Sequence, residues 1–221
     1  MQIPQQKIAD ILENANIYHT AFYEYETFSG PSLHFHRRTL EYISSEDWER
    51  YLEYIYATLT SWGMHRMGGG PKMQPFDVFA TSLNLLKADV LQARQFEYEN
   101  TNWLVLEKIF KGIDVMASRT RLVGNSKVMA HLMPNIVPPV DREYTLYYLK
   151  GNKNITNDSD HEWNLLKTLI KDFFIPIASN PSFKQLAYSW MNNHEEYPWD
   201  TSMFKIIDNL IISAVKSTSS N

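Results

Sequence analysis

The chain has 221 residues, 44% of them hydrophobic and 21% charged, a globular composition long enough to bury a large core unaided. It holds no cysteine, which excludes thiolate-bound zinc, iron–sulfur clusters and thiol nucleophiles, and its net charge of −4 argues against indiscriminate coating of nucleic acid. No apolar run approaches the length of a membrane span, and the first residues lack the apolar stretch and cleavage site of a signal peptide, so a cytoplasmic protein is expected.

In chain order, apolar stripes at a helical period predict an all-α fold of about eight to ten helices, in one unit or in two lobes with a groove between. Ile8, Ile11, Leu12 and Ala15 follow Pro4, and weaker helices are expected over 17–27 and 33–43. The clearest stripe joins Trp48, Tyr51, Leu52, Ile55, Leu59 and Trp62, with Ser44 or Ser45 as its cap. Stretches 67–71, 134–139 and 151–160 read as loops, the last a polar linker. Further helices are predicted after Pro75, from Trp103, after Ser159 and Asp160, after Asn180-Pro181, and after Asp200. The segment Tyr144–Leu149 has strand propensity but no partner strand, so it too is read as helix. The main helical region is thus 1–150, with helices over 161–215 packing on it and a frayed tail at 216–221.

The seven histidines form no metal-binding spacing, and Gly68-Gly69-Gly70 lacks the pattern of a phosphate loop, so neither metal nor cofactor is expected. Charge is distributed unevenly. Between Lys108 and Lys153 there are eight basic and three acidic residues, a local +5 inside a negative chain, which points to a polyanion-facing side. Within that segment a helix is expected to end near Ser118, a tight turn to form at Gly124-Asn125, and a second helix to start at Ser126. Backbone N–H groups at such a start can bind one phosphate without reading base sequence. The proline-rich loop Pro134–Pro139 then delivers Asp141 to the beginning of another helix.

This order of parts, near 113–133 and through Asp141, resembles the helix-hairpin-helix DNA glycosylase superfamily. Leu122-Val123-Gly124 is similar to the family's hairpin, and Pro138-Pro139-Val140-Asp141 to the segment ending in its catalytic aspartate; Ser126 stands where a second hairpin glycine would fall. The resemblance implies an enzyme that hydrolyses the N-glycosidic bond of a damaged or modified base in duplex DNA. It implies Asp141 as the catalytic carboxylate and Lys127 as an amine nucleophile of a strand-cleaving lyase. Gly124, Asn125, Ser126, Arg119, Arg121 and Arg142 would contact DNA, and Trp62 or His65 would stack on the extruded base. The same residues also admit a non-catalytic reading, as a helical interaction, regulatory or DNA-binding protein. There Asp141 is a helix cap, Lys127 a surface lysine, Gly124 a helix terminator and Trp62 a core residue. The two readings differ in geometry: an enzyme requires the Asp141 carboxylate to open into an aromatic cleft beside Lys127.

Overall fold

The computed structural model describes residues 3–24, 30–66 and 72–219, and the regular elements among them are helical. The glycine run at 67–71, residues 25–27 of the expected second helix and the last two residues of the expected tail lie outside these ranges. Helices α1 (Gln5–Glu13) and α2 (Ala15–Glu24) open the fold, followed by α3 (Pro31–Glu41) and α4 (Trp48–Ser61). The cap of α4 is Asp47, whose carboxylate accepts from the Arg50 N–H at 3.0 Å, in place of Ser44 or Ser45. Its stripe buries Tyr51, Leu52, Ile55 and Leu59, and Gly63, at φ 78°, turns the chain out of the helix just beyond Trp62.

Next come α5 (Phe76–Ala93) and α6 (Trp103–Gly112). The chain then runs extended past Met73, with Gln74 N–H donating to the Val115 carbonyl (3.0 Å) and Ala117 N–H to that of Lys72 (2.8 Å). Helix α7 (Leu122–Leu132) follows, so the turn expected at Gly124-Asn125 and the cap expected at Ser126 are corrected: α6 ends at Gly112, and all three residues lie inside α7. The cap of α7 comes from far along the chain. The Glu162 carboxylate accepts the N–H groups of Arg121 (2.6 Å) and Leu122 (2.5 Å), which starts the helix four residues before Ser126. Gly124 is required by packing: a Cβ there would come within 2.4 Å of Met116 Cγ.

Segment 144–149 is helical, split between a π-helical turn (Arg142–Leu146) and α8 (Tyr147–Lys150). After the loop at 151–158, α9 (Ser159–Leu169) is capped by Asp158 and continues through a π-helical stretch into α10 (Ile175–Ala178). Then come α11 (Pro181–Asn192), capped by Asn180 as the Asn-Pro pair predicts, and α12 (Met203–Ser219). The fraying expected from 216 is corrected at its start, because α12 continues as helix to Ser219.

One large apolar cluster joins the two halves of the chain, with Ile8, Leu59 and Leu132 in the same core as Leu166 and Ile207. Helix α12 runs through it, every residue from Phe204 to Val215 buried, and it packs against α1, α2, α8, α10 and α11. A helix this enclosed carries few polar side chains unless they have partners. Lys205, Asp208 and Asn209 of α12 do, and they frame the site.

Candidate active site

Helix α7 and the loop after it are stitched together by α7's own polar residues. The Asn125 amide donates to the carbonyls of Phe110 (2.7 Å) and Ile113 (3.1 Å), closing the end of α6. The Ser126 hydroxyl accepts the Val140 N–H at 3.1 Å and donates to the Val123 carbonyl at 3.2 Å. That tether sets Asp141 beside the next residue of the helix: Lys127 Nζ lies 3.0 Å from Asp141 Oδ2. The other carboxylate oxygen accepts the Glu143 N–H at 2.8 Å, so Asp141 also caps the π-helical turn that follows.

The Asp141 side chain is 28% exposed and that of Lys127 10%, so the pair stands at the edge of the interior with one side open. Burial alone would raise the Asp141 carboxyl, but the Lys127 ammonium and the N–H groups of Glu143 and Tyr144 outweigh it and hold the carboxyl below the usual range. The carboxylate is therefore ionised and fixed in direction.

Both groups line a cavity of about 380 Å³, whose other walls include Phe22, Trp62, Tyr144 and Trp199. That volume falls in the range of small-ligand pockets. Trp62 sits with Lys127 Nζ 5.6 Å from its ring centre, and Trp199 lies 6.3 Å away, centre to centre. Behind the two tryptophans is a buried histidine pair, with His36 Nδ1 3.0 Å from His131 Nε2. His36 stacks on Trp199 at 5.0 Å, and His131 lies 5.1 Å from Trp62. Burial drives His131 down to about 4, and burial together with the neighbouring His131 drives His36 well below the ordinary imidazole value, so the pair stays neutral and can pack against aromatic rings.

A second lysine–aspartate pair lines the same cavity, and the sequence reading missed it. On α12, Lys205 Nζ lies 2.9 Å from Asp208 Oδ2 and 2.5 Å from Asn209 Oδ1. The chain of contacts continues from Asn209 to Asp200 (3.0 Å) and from Asp200 to His19 (2.7 Å). The available signal was local: Lys205, Asp208 and Asn209 occupy one face of a helix whose flanking residues are nearly all apolar.

The remaining expected site residues are not brought to the cavity. Gly124, Asn125 and Ser126 are buried in α7, with Asn125 and Ser126 already engaged, so they present no phosphate-binding hairpin. Arg121 donates to the Ile113 carbonyl at 2.9 Å and fastens the entry to α7. Arg142 is half-buried on the side of Glu162, and His65 is exposed outside the cavity with Nδ1 2.9 Å from the Thr60 carbonyl. Arg119 is exposed. The +5 segment is compensated in part in three dimensions, since Lys108 and Lys111 pair with carboxylates from outside it, Asp89, Glu107 and Asp160. Among the described residues, no cluster of side chains suited to a metal ion is present, and no helix is long and apolar enough to cross a membrane. Comparison of the chain with protein-family models, with curated proteins and with solved structures gives no match, so the reading of this cavity stands on its own geometry.

Proposed function

We propose that the protein is a DNA glycosylase-like enzyme that excises a damaged or modified base, with Asp141 and Lys127 as its catalytic residues. One observation carries the reading. The Asp141 carboxylate, ionised and directionally fixed, opens with Lys127 into a cavity walled by aromatic rings. A base flipped from the duplex needs flat apolar walls on which to stack. The sugar it leaves behind needs a fixed negative charge beside it, because breaking the glycosidic bond builds positive charge on the anomeric carbon.

The C1′–N bond breaks and its electron pair leaves with the base. The Lys127 ammonium, 3.0 Å from the Asp141 carboxylate, gives a proton to the departing base, and Asp141 stabilises the cationic sugar. The freed amine then forms a bond to C1′; the C1′–O4′ bond breaks, O4′ takes its electron pair and the proton the amine gives up, and an imine links Lys127 to the opened deoxyribose. Water releases the sugar from that imine.

The test is a panel of duplexes, each with one modified base, incubated with the protein and probed for abasic sites. At least one duplex is expected to be cut, and Asp141→Asn is expected to lose at least about a hundredfold in rate while still binding it. Absence of abasic sites across the panel, or an Asp141→Asn variant as fast as the parent, overturns the assignment.

A further inference from the structure

Aromatic cavities attract cations, because the face of each ring carries partial negative charge. A base alkylated on a ring nitrogen is a cation, and an open aromatic box would welcome it. In this cavity three of the four aromatic walls are already matched with the chain's own cations. Lys205 Nζ lies 5.3 Å from the centre of Trp199 and 5.9 Å from that of Phe22, and Lys127 Nζ lies 5.6 Å from that of Trp62. A cationic ring entering among them would displace a protein ammonium from its aromatic face or sit against it as a like charge. A neutral ring meets neither cost, and it can stack where the tryptophans are held by the histidine pair.

The two ammonium groups are not equally answered by acids. Asp141 is held ionised beside Lys127, whereas burial, only partly offset by Lys205, pushes the Asp208 carboxyl upward and makes it a poorer counterweight. Lys205 is also the better fixed, through Asp208 and Asn209 on its own helix. We infer that the cavity selects an electrically neutral heteroaromatic ring, and that Lys205 is the specificity-determining residue that turns away cationic, N-alkylated bases. This inference rests on the cavity being the place where an extruded base stacks, and it concerns binding rather than bond cleavage.

The experiment uses the full chain and two probes of matched size that differ by one charge, 4-methylquinoline and N-methylquinolinium, with tryptophan fluorescence as the readout at neutral pH. The parent is expected to bind the neutral probe at least about tenfold more tightly. In Lys205→Met, which keeps the stem and removes the charge, the preference is expected to shrink to within about twofold or to reverse. The double variant Lys205→Met/Asp208→Asn, which leaves no buried carboxylate unpaired, is expected to behave the same way and covers the case of a single variant that fails to fold. Equal binding of the two probes by the parent, binding of neither, or a preference that survives in both variants overturns the inference. Its failure is separable from that of the enzymatic reading: a chain that releases bases but does not discriminate the probes loses only the selectivity, and a chain that discriminates them without releasing any base keeps it.

Discussion

The cavity holds two lysine–aspartate pairs of nearly the same length, 3.0 Å for Lys127–Asp141 and 2.9 Å for Lys205–Asp208, yet their carboxyls are driven in opposite directions. Asp141 stands at the start of a helical turn, where the N–H groups of Glu143 and Tyr144 are unused by the helix and converge on it. Asp208 lies within α12, where the backbone N–H groups are spent on the helix, so its side chain has Lys205 and, more weakly, Lys127 to set against burial and the nearby Asp141 charge. A lysine partner therefore does not by itself fix a carboxylate's charge; free backbone donors decide it. The same two residue types thus give two outcomes, a carboxylate held as a permanent charge, which the proposed catalysis uses, and a buried clamp for a cation.

The sharpest test of that contrast is activity. Asp141→Asn should cost at least about a hundredfold in base excision, while Asp208→Asn, which keeps an acceptor for Lys205, should cost less than about tenfold; equal losses in single-turnover rates would erase the distinction. The lysines should separate next. Borohydride added during turnover should trap a protein–DNA adduct whose peptide map places it on Lys127, with none on Lys205, and Lys127→Gln should abolish trapping. An active enzyme that yields no adduct would leave Lys127 as a proton donor only.

A smaller difference should appear in urea unfolding between pH 3 and pH 8. The folded-state value of Asp141 is lowered, so its contribution is present above the ordinary carboxylate range and is lost as pH falls through the folded value. That of Asp208 is raised, so its contribution is present in acid and is lost as pH rises through the folded value. Asp141→Asn should flatten the acid limb of the stability curve and Asp208→Asn the opposite one; the reverse pattern would contradict the account of backbone donors. The smallest effect concerns the duplex itself. Arg119→Glu should weaken binding to all sequences and lower the salt slope by about 1, and Lys205→Met should leave the affinity for undamaged DNA unchanged.

Much of the architecture was readable because helix formation leaves local marks. The stripe from Tyr51 to Leu59 and the Asn180-Pro181 start each lie within one element, and both appear where the period and cap residues place them. Lys127 and Asp141 were singled out separately, through a resemblance that places them around a hairpin which does not form, and their 3.0 Å pairing has no local signature. Gly124 read as a turn residue, whereas its smallness is needed for the approach of Met116, and the true start of α7 is set by Glu162 on another helix. Neither contact has a local sequence signature. The second pair was passed over for a different reason. Phe204, Ile207 and Ile211 announce α12, and a reading by apolar positions alone gives no weight to Lys205 and Asp208 between them.

The capping of α7 by Glu162 also bears on how the protein is made. A ribosome delivers Lys127 and Asp141 well before Glu162, and α12 later still. Until Glu162 emerges, the first amides of α7 lack their acceptor; until α12 docks, the cavity lacks the wall that carries Lys205 and Asp208. A nascent chain halted in the loop at 151–158 thus holds both proposed catalytic side chains without the frame that aligns them. The proposed base-removing chemistry would be withheld from incomplete chains by the order of synthesis alone.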